Sequence, residues 1–154
     1  MISDGRLQLC SFQEVLPLWR EKLWPRRQSE ILEKSSLRFG GGYDGAIYKT
    51  AAPLFWGYFM RERLIAANSG FWTSKEEFRS RGLYVEPEFR GRGIAQMLLR
   101  ELLQTAQENG ARRAWSIPRQ SALKTYQAVG FETHGDFFTE GMEFGPNIFV
   151  YKDL

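Results

Sequence analysis

The stretch Leu83-Tyr84-Val85-Glu86-Pro87-Glu88-Phe89-Arg90-Gly91-Arg92-Gly93-Ile94-Ala95 decides the fold, because it runs from a predicted strand through a glycine-rich turn directly into an amphipathic helix. The first N–H groups of a helix have no acceptor within it, and the aligned peptide dipoles leave partial positive charge at that end. Gly91 and Gly93 keep side chains off this end, while Arg90 and Arg92 add charge-assisted donors beside it. Such a turn suits an anion, above all a phosphate or pyrophosphate. Spacing excludes two common phosphate loops. No Gly-Lys-Ser or Gly-Lys-Thr follows the glycines, as a Walker loop requires. Gln96 stands where the dinucleotide fingerprint needs a third Gly or Ala.

Arg90, Gly93 and Ala95 instead fall on Arg-x-x-Gly-x-Ala, which resembles the acetyl-CoA signature of the GCN5-related N-acetyltransferase (GNAT) superfamily. Leu83-Tyr84-Val85 is similar to the strand that precedes that signature. A tight strand-to-helix turn with no ligand would use the same residues, so a second match carries weight. Ala122-Leu123-Lys124-Thr125-Tyr126-Gln127-Ala128-Val129-Gly130-Phe131 resembles the superfamily's later helix, ending in Tyr-x-x-x-Gly-Phe. Between the two motifs there is room for one helix and one strand. The resemblance runs from Arg81 to Phe131. It implies an α/β fold of the mixed α+β kind: one mostly antiparallel mixed sheet of about six to seven strands flanked by about four helices. It also implies acetyl-CoA as co-substrate, running between splayed strands, with no metal.

Composition sets the outer bounds. At 154 residues the chain is long enough to bury a continuous core without metals or disulfides, and one domain over 1–154 is expected. The 15% aromatic content is high and supplies side chains for both core and cleft. Cys10 is the only cysteine, which rules out an intramolecular disulfide and points to a reducing compartment. The N-terminus carries no apolar signal-like run, and no segment approaches the ~20 apolar residues of a membrane span. A cytoplasmic, soluble protein with no membrane partner is expected. The formal charge of +3 and pI of 9.1 raise the question of nucleic acid, but the charges are spread along the chain. The group Arg79, Arg81, Arg90 and Arg92 is expected beside the phosphate loop, where a polyanionic cofactor accounts for it, so no nucleic-acid partner is expected. Self-association as a homodimer stays open.

Along the chain, Arg6 to Phe12 reads as an opening strand, and Val15, Leu16, Trp19 and Leu23 form a helical apolar stripe closed by Pro25. A second helical piece is expected over Gln28 to Leu37. Gly40-Gly41-Gly42 and Tyr43-Asp44-Gly45 then make a loop expected to be mobile. Pro53 to Met60 and Leu64 to Thr73 form a hairpin, Phe78 to Glu86 a further strand, and Arg92 to Asn109 a long helix ended by Gly110. Its apolar face is Ile94, Ala95, Leu98, Leu102 and Ala106. Arg113 to Ile117 is a short strand, and Phe131 to Phe138 and Phe144 to Tyr151 are two closing strands.

By resemblance, the reaction moves an acetyl group from acetyl-CoA to a primary amine of a small molecule or peptide by direct attack. Nothing in the sequence pattern supplies a covalent nucleophile, and His134, the only histidine, reads as a surface or strand residue. Direct transfer needs a neutral amine, a donor for the oxygen that gains charge, and a proton for the departing thiolate. The resemblance places the oxyanion donor at the Val85 N–H, which a strand bulge must free, and the general acid at Tyr126. Tyr126 also falls where a Schellman cap would pack it on Phe131, and both roles are compatible. The cofactor is expected to meet Leu83, Val85, Arg90, Gly91, Arg92, Gly93, Ile94, Ala95 and Tyr126. Arg119 stands where the superfamily often has Asn, so that role does not transfer, although Arg119 could still meet a cofactor phosphate; Lys124 is likewise a plausible phosphate partner and reads first as a solvated helix charge. Glu86, Glu62, Asp136 and Glu140 are candidate bases, and Trp24, the Gly40 to Gly45 loop, Trp56 and Trp72 are candidate acceptor-site residues. Leu23-Trp24-Pro25 faintly resembles part of aminoglycoside 6′-N-acetyltransferases. A non-catalytic domain that binds CoA as sensor or scaffold is the alternative reading.

Overall fold

A computed structural model describes residues 4–46 and 51–154. Ser11 opens the first helix through a capping box: its Oγ accepts from the Glu14 N–H at 3.1 Å, and its own N–H donates to Glu14 Oε1 at 2.9 Å. The order is β1 (Gly5–Cys10), α1 (Phe12–Leu18), a π-helical turn (Trp19–Leu23), β2 (Leu54–Met60), β3 (Arg63–Trp72), β4 (Glu77–Val85), a 3-10 turn (Pro87–Phe89), α2 (Ile94–Glu108), β5 (Arg113–Ser116), α3 (Gln120–Ala128), β6 (Glu132–Phe138) and β7 (Asn147–Asp153). The strands form one seven-stranded sheet in the order β1-β2-β3-β4-β5-β7-β6. Every pair is antiparallel except β4 with β5, whose parallel pairing is made possible by the crossover through α2. No helix among the described residues is long and apolar enough to cross a membrane.

α2 covers one face of the sheet. Its inner row Ile94, Leu98, Leu99, Leu102, Leu103 and Ala106 is buried against Trp56, Ile65, Ala66 and Phe78. Each leucine so buried contributes about 1.5–3 kcal/mol. On the opposite face, α1 and the π-helical turn press Val15, Leu18 and Trp19 onto Phe55 and Ala67. Farther along that face, Leu37 and Phe39 pack on Trp115, Ile117 and Phe149.

Two expectations are corrected. Gln28 to Leu37 forms no helix, which leaves three α-helices among the described residues instead of about four. Its backbone is taken up by tertiary partners: Arg81 Nη1 donates to the Leu32 C=O at 2.8 Å, and Glu143 accepts from the N–H groups of Gln28 and Ser29. The closing strand begins at Asn147 instead of Phe144 because Pro146 has no N–H to give the ladder.

The feature that positions the site lies in β4. Ala67 pairs with Tyr84 and Ser69 with Arg81, so Gly82 and Leu83 together oppose Asn68. This bulge resets the alternation of the strand. Arg79 and Arg81 face the α1 side, where their guanidinium groups stack on Trp115 and on Trp19 and Trp24, whereas Leu83 and Val85 join the α2-side core. Gly82 has φ +81°, the Trp19 indole N–H donates to its C=O at 2.8 Å, and a Cβ there would fall 2.2 Å from the Trp19 ring. Only glycine meets all these conditions.

Candidate active site

β4 and β5 pair only over Glu77 to Arg79 and Arg113 to Trp115, and beyond this they part. The gap is the floor of a cleft of about 970 Å³, bounded by the N-terminus of α2, by α3, and on the other face by the chain from Lys22 to Tyr43. All the expected cofactor residues line it except Arg92, which is exposed and lies over the Phe89 ring instead.

At one end, Gly91 and Gly93 take φ of +76° and +80°, and a Cβ on either would meet nothing within 4 Å. Glycine here serves the turn and leaves open space above the first turn of α2, which no side chain caps. Arg90 reaches back, its Nε donating to the Val85 C=O at 2.7 Å with its guanidinium over Tyr84.

Val85 sits where the ladder leaves it open on the cleft side. The Glu86 N–H donates to the Ile65 C=O at 2.9 Å, so Ile65 and Glu86 form a hydrogen-bonded pair. The adjacent pair, Ala66 and Val85, is then of the non-bonded kind, and the Val85 N–H and C=O point away from β3 into the gap.

Tyr126 is buried at the base of the gap. Its hydroxyl lies 2.9 Å from Ser80 Oγ on β4 and accepts from Ser116 Oγ on β5 at 3.2 Å. Ser80 Oγ also donates to Asn68 Oδ1 at 3.0 Å, and Ser116 Oγ to the Ser80 C=O at 2.7 Å. Burial raises the phenol above its ordinary value near 10, against smaller opposing effects of the two serines and of Arg79. The Schellman cap is present as well. The Phe131 N–H donates to the Tyr126 C=O at 3.1 Å, the Gly130 N–H to the Gln127 C=O at 3.0 Å, and the two rings meet edge to face.

Several other expectations are corrected. Arg79 and Arg81 do not flank the phosphate loop, since the bulge sends them through to the α1 side of the cleft. Glu86, Glu62, Asp136 and Glu140 do not line the cleft, and Arg63 bonds Glu86 at 3.1 Å. Trp56 and Trp72 belong to the core, whereas Trp24 and Tyr43 do face the cleft. Two residues lie as expected: His134 is exposed on β6 beside Phe39, and Lys124 is exposed away from the cleft. Arg119 turns in, its Nη2 donating to the Leu23 C=O at 2.7 Å. Cys10 lies in β1, where burial pushes its thiol up to about 12, so it remains protonated at neutral pH.

Sequence reasoning missed Ser80, Ser116, Asn68 and Asn147, all brought to the site by strand pairing with no local pattern. Gly82, a glycine inside a strand, was a readable signal for the bulge.

Comparison with known proteins agrees with this fold. A protein assigned as an N-acetyltransferase from Lactobacillus plantarum superposes with a TM-score of 0.73 at 13% identity, covering 99% of each chain. A GNAT family acetyltransferase from Elizabethkingia anophelis, solved with acetyl-CoA bound, gives 0.66 at 11% identity over 99% of this chain and 100% of its own. The PaiA N-acetyltransferase from Thermoplasma acidophilum, in complex with coenzyme A, gives 0.58 at 18% identity over 71% of this chain and 65% of its own. No curated protein sequence matches the chain. The model of the acetyltransferase (GNAT) family matches residues 15–131, and with the splayed β4 and β5 and the open α2 terminus this places the chain in that family.

Proposed function

We propose that the protein is an N-acetyltransferase that transfers an acetyl group from acetyl-CoA to a primary amine by direct attack. The observation that carries this reading is the placement of the Tyr126 hydroxyl at the base of the same gap into which the Val85 N–H points.

The residues present fit the cofactor. The open first turn of α2, above Gly91 and Gly93, offers the N–H groups of Ile94 and Ala95 to a diphosphate. Leu83 and Val85 present an unpaired strand edge to a pantetheine arm. Arg90 now holds the Val85 C=O, and its release to a phosphate would open that edge. Bound acetyl-CoA supplies an acyl thioester.

The Val85 N–H polarises the thioester carbonyl, because a fixed donor in a water-poor gap stabilises the charge that develops on oxygen. Tyr126 keeps its proton at neutral pH and donates it to the departing thiolate, and the proton shed by the attacking nitrogen returns to the phenolate. Arginines on the α1 side disfavour an ammonium nearby, which pushes an amine toward the neutral form that attacks.

The test is release of free thiol from acetyl-CoA in step with acetylation across a panel of primary amines. Thiol release matched by acetylated amine is expected. Stabilisation by acetyl-CoA with no thiol release from any amine would replace this reading by a CoA-binding domain without turnover.

A further inference from the structure

The acceptor half of the cleft carries cations far in excess of carboxylates. Lys22, Arg27, Lys34, Arg79, Arg81 and Arg119 line it, and Lys34, Arg79 and Arg81 are 7%, 5% and 6% exposed. Among the described residues, Glu30 and Glu143 are the carboxylates that oppose them there. Glu143 is engaged by the N–H groups of Gln28 and Ser29 and by the Ser29 hydroxyl at 2.9 Å, beside Arg27.

Arg119 is the most telling of these. It is half-buried, donates to the Leu23 C=O, and lies over the Phe144 ring at 5.5 Å. Among the described residues it forms no ion pair, and burial alone lowers its pKa with no carboxylate opposing the effect. A guanidinium held partly out of water without an acid is stabilised by an anion that arrives from outside. Arg119 also sits at the start of α3, whose first turn has no side-chain cap and adds positive potential.

Next to it is a fixed amide. Arg119 and Asn147 face each other in an isolated bridge, and Asn147, 5% exposed, also lines the cleft. Its Nδ2 donates to the Ile117 C=O at 2.9 Å, which fixes the amide and leaves Oδ1 buried with no partner among the described residues. The Oδ1 lies beside Gly145, which is not part of the cleft, so Asn147 stands as a fixed wall next to Arg119 and leaves the guanidinium as the group that meets a ligand there.

We infer that the acceptor is an amine that also carries a carboxylate, with the carboxylate on Arg119. This rests on the N-acetyltransferase reading. Polycationic acceptors such as polyamines and aminoglycosides are disfavoured by the same wall, because like charges repel across a partly desolvated site.

The experiment compares α-, β- and γ-amino acids with the plain amines of the same carbon skeleton, and with spermidine, by thiol release. Binding of acetyl-CoA is followed in parallel by thermal unfolding. At least one carboxylate-bearing amine should show kcat/KM ten-fold or more above its plain partner. Arg119→Gln should collapse that ratio toward one through KM, with Arg119→Lys restoring part of it. A plain amine or spermidine used as well as or better than every amino acid would overturn the inference while leaving acetyl transfer standing. Equal losses on both members of a pair in Arg119→Gln, with acetyl-CoA stabilisation retained, would overturn it too. No stabilisation of the wild-type protein by acetyl-CoA would remove both readings together.

Discussion

Tyr126 concentrates the chemistry and the packing in one side chain, and a single substitution separates them. Tyr126→Phe deletes the hydroxyl but leaves Ser80 bonded to Asn68 Oδ1 and Ser116 bonded to the Ser80 C=O, so neither serine is orphaned. The stability cost should therefore stay near the ordinary hydrogen-bond value of about 0.5–1.5 kcal/mol. Activity should fall much further, by roughly 10²-fold or more in kcat with KM for acetyl-CoA little changed, as loss of a general acid requires. Steady-state kinetics with both substrates varied checks this, and an undiminished kcat would move the proton donor elsewhere. The same residue sets a pH dependence. Its folded-state pKa is raised, so the unfolded chain loses the phenolic proton first as pH climbs past about 10. The stabilisation is present in full below that value and is lost as pH rises toward the folded pKa. Urea midpoints measured from about pH 9 to about pH 11 should decline less steeply in Tyr126→Phe than in the wild type.

At the scale of elements, two glycines with nearly the same backbone angle do different work. Gly82 at φ +81° is walled by Trp19, whereas Gly93 at φ +80° faces open space. Gly82→Ala should cost about 2–4 kcal/mol, from left-handed strain plus overpacking against the indole, read as a shifted urea midpoint. Gly93→Ala bears only the backbone strain, about 1–2 kcal/mol, yet places a methyl group where the diphosphate is proposed to sit. Its loss should appear mainly in acetyl-CoA affinity. Titration of each variant distinguishes the two, and equal effects on folding and binding at both positions would contradict the division. Local signals explain which elements were legible in the sequence. α2 and its caps follow from periodicity and from Gly110, and the Tyr126 to Phe131 ending follows from Gly130, because helix ends are decided within a few residues. Gln28 to Leu37 misled because its backbone bonds go to Arg81 and Glu143, residues remote in sequence. The bulge misled in a second way: an unbroken alternation would put Arg79, Arg81, Leu83 and Val85 on one face, and one extra residue divides them between two.

Over the whole molecule, these local devices divide the cleft by chemistry: helix-terminal N–H groups at one end, a phenol and two serines at the base, and arginines backed by aromatic rings on the far face. The acetyl-CoA end was legible because its motif is contiguous in sequence. The acceptor wall was not, since Trp24, Arg81, Arg119 and Asn147 come from four separate segments that only the sheet order brings together. A fold built this way should respond to its cofactor as one unit, because α2, β4 and α3 share the core that surrounds the gap. A ligand that binds only the native state raises stability by RT ln(1 + [L]/Kd), about 2.7 kcal/mol at a hundred-fold excess over Kd. For a domain of this size that is a rise of several degrees in Tm. Acetyl-CoA and CoA should both produce it, since the proposed diphosphate and pantetheine contacts are common to the two, whereas ATP, which lacks the arm that pairs along Leu83 and Val85, should produce a smaller one. Thermal unfolding with the three ligands at equal concentration decides the matter: a shift with ATP matching that of CoA would mean that the α2 terminus binds phosphate without engaging the β4 edge, and the assignment of Val85 to the thioester would fall with it.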